Sequence, residues 1–208
     1  MKTYSMNQLE RYPIYLKYFK ELEEQGFETI SSPKIALKLG YSEEQVRKDL
    51  QNVSLEAGRP KKGRSLKQLI NDIEAFLGYR DSTGAVLIGV GHLGGALLNF
   101  PGFGEMGLDI RAGFDTKPEL IGQTIAGKPI LAMEEFPEAF KKTGARVAII
   151  AVPGPVAQEV ADLAVSSGAK AIWNFAPVHL DIPEGIVLEH VNLASSWAVL
   201  THRLSLLG

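Results

Sequence analysis

The sequence predicts an α/β fold in two parts, a helical N-terminal part followed by a doubly wound parallel sheet. Three observations carry this. From about residue 85 onward, short apolar runs alternate with helical patterns. A turn with glycine spacing, Gly89-Val90-Gly91-His92-Leu93-Gly94, follows the first of those runs, Ala85-Val86-Leu87-Ile88. Before it, apolar residues recur at helical spacing and not in alternation.

In the first part the elements follow in order. Pro13 can open a helix at its first position; Leu16, Phe19 and Leu22 follow, and Gly26 ends it. Ser32 is a candidate N-cap with Pro33 behind it. Ile35, Ala36 and Leu39 make the inner stripe, and Gly40 stops that helix. Ser42-Glu43-Glu44-Gln45 has the form of a capping box, and Val46, Leu50 and Val53 form the next stripe. The two short helices meet across Gly40-Tyr41-Ser42, a turn of helix-turn-helix length.

The second of these helices presents Glu44, Arg47, Lys48 and Gln51, with Ser42 and Gln45 at its start. Such side chains suit base edges and phosphates. Ala57-Gly58-Arg59-Pro60-Lys61-Lys62-Gly63-Arg64 follows, a basic loop bounded by glycines. Residues 46–69 hold seven basic against two acidic side chains, a net charge of +5, in a chain whose net charge is −2. A charge run by itself is a solvated face. Behind a helix-turn-helix it reads as a wing, with Arg59, Lys61, Lys62 and Arg64 on phosphates or in the minor groove. The expectation is a winged-helix domain that binds double-stranded DNA. A helical dimerisation module with solvated lysines is the plainer alternative.

Gly78–Gly84 reads as a polar linker. Beyond it, strands are expected at Ala85–Val90, Ile110–Phe114, Val147–Val152, Ala171–Phe175 and Ile186–Val191, and helices at Leu93–Asn99 and Val156–Ser166. The expected domains are residues 1–80, 85–191 and a C-terminal helix, 192–208. In that last segment Leu193, Trp197, Leu200, Leu204 and Leu207 fall at helical spacing. The stripe wants burial, and a small sheet domain offers little surface for it. Exchange with a second copy is the expectation, giving a two-fold dimer matched to a palindromic site.

The glycine turn has the context of a Rossmann dinucleotide site: strand before, helix after, acid at the end of the next strand. Gly89 permits the tight turn, Gly91 lets backbone approach a pyrophosphate, and Gly94 lets helix pack on strand. The helix N-terminus then offers free N–H groups to phosphates. Asp115, 21 residues past Gly94, can accept ribose hydroxyls and would repel a 2′-phosphate, which favours NAD(H) over NADP(H). His92 and Leu93 stand inside the turn; a solvated loop histidine is the plainer reading of His92. Val152-Pro153 and Phe175-Ala176-Pro177 follow later strands, where the nicotinamide would sit. The apolar character of Phe175-Ala176-Pro177 favours NADH over NAD, whose ring carries a charge.

A hydride-transferring enzyme needs a substrate anchor and a proton donor. The second part has three arginines: Arg111 and Arg146, expected at strand starts away from the crevice, and Arg203 near the C-terminus. No Ser–Tyr–Lys arrangement and no room for a substrate domain are apparent, so no residue is assigned a catalytic role. The dinucleotide reads as a signal. The 208 residues contain no cysteine, which excludes disulfides and thiolate metal sites, and the four histidines have no metal-ligand spacing. No apolar run suits a membrane span and Met1-Lys2-Thr3-Tyr4 opens no signal peptide, so the cytoplasm is the expected compartment. The competing readings are a small NAD-dependent oxidoreductase with an appended helical domain, and a nucleotide- or coenzyme-A-binding regulator that never meets DNA.

At this point the sequence resembles the Rex family of redox-sensing transcriptional repressors over nearly its whole length. Arg11-Tyr12-Pro13-Ile14-Tyr15-Leu16 is similar to the family's opening, and Val46-Arg47-Lys48-Asp49-Leu50 to its recognition helix. The turn 89–94 with Ala96-Leu97-Leu98-Asn99, then Gly113-Phe114-Asp115 and Asn174-Phe175-Ala176-Pro177, resemble its cofactor motifs. The resemblance implies a homodimer of winged helix, Rossmann domain and swapped C-terminal helix. It also implies release from operator DNA on binding NADH. Many members carry Tyr where Phe100 stands and Asp where Asn192 stands, which implies a switch wired differently here.

Overall fold

The computed structural model describes residues 4–54 and 63–207. The chain divides into two compact units, Met1–Asp81 and Ser82–Gly208. The first contains α1 (Met6–Glu24), β1 (Thr29–Ile30), α2 (Ser32–Leu39), α3 (Glu43–Val53), β2 (Arg64–Ser65) and α4 (Leu66–Leu77).

Helix α1 begins earlier than Pro13 suggests. Ser5 caps it by accepting the Gln8 N–H, and Pro13 lies inside it on the exposed side. An interior proline costs about 3 kcal/mol. Tyr12 before it and Tyr15, Leu16 and Phe19 after it are buried in one core, and that burial holds the helix together across the missing hydrogen bond. The N-cap position of helix α2 is Ser31, one residue earlier than expected, and its side chain makes no capping hydrogen bond; Pro33 still lies in the first turn, where N–H groups have no intrahelical partner. The turn to α3 is Gly40-Tyr41-Ser42, and the Ser42 hydroxyl accepts the Gln45 N–H at 3.2 Å. Helix α4 was not expected, yet Leu66, Leu69, Ile70 and Ile73 lie buried on one face at helical spacing. β1 and β2 pair antiparallel, Ile30 against Arg64.

The second unit contains β3 (Thr83–Ile88), α5 (His92–Leu98), β4 (Leu108–Asp115), β5 (Thr124–Ile125), β6 (Lys128–Ala132), α6 (Phe136–Thr143), β7 (Val147–Ile150), α7 (Gly154–Ser166), β8 (Ala171–Asn174), β9 (Val187–His190) and α8 (Leu193–Ser205). Its sheet runs β5-β6-β4-β3-β7-β8-β9. Only the short edge pair β5–β6 is antiparallel. The parallel strands β6-β4-β3-β7-β8-β9 have the 3-2-1-4-5-6 order of dinucleotide-binding folds. The order reverses between β3 and β7, so a crevice opens there at the strands' carboxyl ends.

Several boundaries differ from expectation. Thr83 and Gly84, read as linker, begin β3: Thr83 donates to the Gly107 carbonyl and Gly84 pairs with Asp109. β3, β7, β8 and β9 stop one or two residues short of the apolar runs; after β3, β7 and β8 the chain leaves the sheet to form turns that line the crevice. Arg111 is not at a strand start but fourth in β4, held by the Asp109 carboxylate and the Thr143 carbonyl. β6 and α6 went unread: β6 contains Pro129 and spans five residues, and α6 opens on Phe136-Pro137, so neither shows a clean period.

Candidate functional site

The turn between β3 and α5 depends on its glycines in three different ways. Gly89 has φ +91°, and a Cβ there would lie 2.7 Å from the Ala151 carbonyl oxygen. It therefore allows a left-handed turn and the close approach of β7. A Cβ on Gly94 would fall on the carbonyl oxygen of Gly89, so only glycine lets α5 sit on the turn. A Cβ on Gly91 would meet nothing within 4 Å. That open space is a cradle which a side chain would fill. Gly91 also caps α5 without any side-chain hydrogen bond, which leaves the first-turn N–H groups for a ligand.

Asp115 braces this turn. Its carboxylate is buried and accepts the Val90 N–H at 2.7 Å and the Lys117 N–H at 2.9 Å. It ties the end of β4 to the turn after β3, a role the sequence spacing did not suggest. On the other side of the switch point Asn174 is fully buried. Its amide nitrogen donates to the Ala176 and Val178 carbonyls, and its oxygen accepts the Ala176 N–H at 2.9 Å. The turn carrying Phe175 and Pro177 is thus fixed from within.

These pieces enclose one cavity of about 700 Å³. Gly89, Gly91, His92, Leu93, Asp115, Val152, Pro153, Phe175 and Pro177 line it. Val90, Gly94 and Ala176 do not: Val90 packs into the core beside Leu98 and Ile130, Gly94 supports the turn, and Ala176 is buried. Thr116, Lys117 and Glu159 line it too and were not singled out in the sequence. A smaller cavity of about 440 Å³ lies beyond Phe175 and Pro177 and reaches Asn192 and Leu193. Asn192 caps α8, accepting the Ser195 N–H at 3.0 Å. Nothing in α8 is buried; Leu193, Trp197, Leu200 and Leu204 are all more than half exposed.

In the first unit, α3 exposes Glu44, Arg47, Lys48 and Gln51, with Ser42 exposed at its cap and Gln45 half-buried. Arg47 donates to Glu43 at 2.6 Å. Beneath this face Asp49 is buried and accepts from Arg11 at two nitrogens, 2.7 and 2.9 Å, and from the Tyr15 hydroxyl at 2.9 Å. The Tyr12 hydroxyl donates to the Asp49 carbonyl. Burial pushes the Tyr12 phenol up to about 12, and burial with the adjacent Asp49 raises that of Tyr15 further. The hydrogen bond to Asp49 raises the Arg11 guanidinium above its ordinary value. Arg64 lies in β2, where burial lowers its pKa. Arg59, Lys61 and Lys62 lie outside the described residues. Among the described residues no cluster of side chains could hold a metal ion, and no helix is long and apolar enough to cross a membrane.

Two family models match the chain: "CoA binding domain" over residues 80–178 and "Putative DNA-binding protein N-terminus" over residues 5–51. The redox-sensing transcriptional repressor Rex of Bacteroides fragilis is 38% identical over 197 residues, 95% of this chain and 89% of that protein. Its counterpart in Treponema denticola is 40% identical over 192 residues, 92% of this chain and 91% of that protein. The chain belongs to the Rex family. Among solved structures, the Rex-family repressor RSP in complex with β-NAD+ and operator DNA matches with a TM-score of 0.91 and 31% identity, over 98% of this chain and 94% of that one. RSP in complex with β-NADH matches with a TM-score of 0.88 and 31% identity, over 98% and 95% of the two chains. The Rex motifs seen in the sequence have two structural destinations. Those at 11–16 and 46–50 meet at Asp49, and the others build the cavity.

Proposed function

We propose that this protein is a transcriptional repressor that senses the NADH/NAD balance and leaves its operator when NADH binds. The observation that carries this is the cavity of about 700 Å³ at the switch point, where the glycine turn, Asp115 and the Phe175–Pro177 turn converge. Its residues fit a dinucleotide. Gly91 leaves room for a pyrophosphate beside the uncapped first turn of α5. Asp115 stands where a ribose would lie. Val152, Pro153, Phe175 and Pro177 offer an apolar wall that suits the neutral reduced ring over the charged oxidised one. The dinucleotide supplies the redox signal through that ring charge.

The exposed α3 face supports DNA reading, with Arg47 and Lys48 toward base edges and Ser42, Glu44, Gln45 and Gln51 around them. The basic stretch of the sequence, Arg59, Lys61, Lys62 and Arg64, supports phosphate binding beside it. The bare apolar face of α8 supports a homodimer, with the C-terminal segment 192–208 packed on a second copy and two winged helices on a palindromic site. We read the protein as a regulator and not an enzyme, as the names of its relatives support, and place it in the cytoplasm with its DNA. The test is a gel shift on the DNA upstream of its own coding sequence, with NADH and NAD in parallel. The band should be lost with NADH and kept with NAD. Failure to retard any duplex at low salt would overturn the reading.

A further inference from the structure

The acid at the end of the second strand is the usual reason such a site rejects a ribose phosphate. Here that acid is already engaged. One oxygen of Asp115 accepts the Val90 N–H and the other accepts the Lys117 N–H, so two backbone dipoles offset part of its charge. The next two residues, Thr116 and Lys117, are exposed and line the same cavity. Lys117 is the only lysine or arginine among the described lining residues, and it forms no ion pair among them. A hydroxyl and a flexible ammonium beside the ribose end are the groups that hold a phosphate. Glu159 on α7 also lines the cavity, so the site as a whole stays slightly acidic and NADH remains the better ligand.

We propose that Thr116 and Lys117 form a ribose-phosphate subsite, through which the cavity also accepts NADPH with only a modest penalty. The proposal rests on the dinucleotide reading of the cavity given above and narrows it. Asp115 alone would make the site strongly selective; Lys117 relaxes that selectivity.

The experiment is calorimetric titration of the full-length protein, its Lys117→Ala and Lys117→Glu variants, with NADH, NADPH and coenzyme A. The readout is the ratio of the NADPH and NADH Kd values. In the wild type it should be about tenfold or less, since contact between a cation and a doubly charged phosphate in water shifts affinity by about that much. Lys117→Ala should widen the ratio by about that factor, toward about a hundredfold, and Lys117→Glu should widen it further. Added salt should narrow the difference between the three proteins. An unchanged ratio in both variants, or a wild type that already rejects NADPH by more than about a hundredfold, would overturn the proposal. Coenzyme A carries its phosphate on the 3′-oxygen; tighter binding of it than of either dinucleotide would assign the subsite elsewhere and also overturn it. If NADH and NADPH both fail to bind protein whose circular dichroism is native, the reading of the cavity itself falls, and this proposal with it.

Discussion

Asp49 receives two guanidinium nitrogens of Arg11 and the Tyr15 hydroxyl while almost wholly buried. Asp49→Ala would take the acceptor from the buried Tyr15 hydroxyl and leave the part-buried Arg11 guanidinium with the Asn7 carbonyl alone. Breaking a fully buried pair from one side costs about 3–5 kcal/mol, and this part-buried one should lie at or below the low end, so the first unit should unfold at lower urea. The tyrosines make a pH prediction. Burial raises the Tyr12 phenol to about 12, above its unfolded value near 10. The folded state therefore holds a proton that the unfolded state gives up, and stability falls as pH rises from about 10 toward 12. Tyr12→Phe should flatten that decline in pH-dependent melting curves. The glycines separate fold from site. Gly91 has open space for a Cβ and an ordinary negative φ, so Gly91→Ala should lose about 1 kcal/mol or less of stability at the α5 N-cap yet weaken NADH binding by titration. Gly94→Ala pushes a methyl onto the Gly89 carbonyl, and should lower both melting temperature and binding.

At the scale of elements, α3 and α8 each expose what a partner would cover. On α3 the exposed residues are Glu44, Arg47, Lys48 and Gln51, while Val46, Asp49 and Leu50 anchor it. Replacing Lys61 and Lys62 by Ala should weaken binding to all duplexes alike and reduce the salt slope by about one per lost phosphate contact. Wild-type salt dependence in that variant would refute the wing assignment. On α8, Leu193, Trp197, Leu200 and Leu204 face solvent. Full burial of each such side chain contributes about 1.5–3 kcal/mol, ample to drive association. Trp197→Asp with Leu200→Asp should turn a dimer into monomers in analytical ultracentrifugation. A stable dimer in that variant would count against the exchanged helix.

For the whole molecule the proposal requires that one site feel the other. Two winged helices fit a palindrome only at one spacing, and a dinucleotide that changes the spacing changes DNA affinity. Linkage makes this reciprocal: whatever factor NADH takes from DNA binding, DNA takes from NADH binding. Couplings of this kind are typically about 1–3 kcal/mol. Among the described residues the Phe100 ring, 48% exposed, packs edge-on against Phe103, and the Asn192 side chain caps α8. Neither brings a charge to the switch, so the low end of that range is expected. Titrating NADH with and without operator duplex at fixed salt should show about a fivefold weaker Kd with DNA. Equal affinities would show that the dinucleotide is not the effector.

The two-part plan, the helix-turn-helix, and the parallel sheet with a glycine turn after its first strand were legible in the sequence alone. Those features are periodic or depend on neighbours within a few residues, where glycine, proline and apolar spacing act locally. It left α4 unread although the period was present, and it missed β6 and α6, where prolines break the period. It placed Asp115 by counting, as a ribose acceptor. Only the tertiary structure made it a brace for the turn, because its partner N–H on Val90 lies 25 residues away along the chain. The same holds for Asp49, which sequence reading knew only as part of a motif. Its meeting with Arg11 spans 38 residues and is decided by how α1 packs on α3. Hydrogen-bond partners of buried polar groups come from whatever the fold brings near, and no local pattern records them. Lys117 entered the cavity in the same way, carried there by the turn that Asp115 closes.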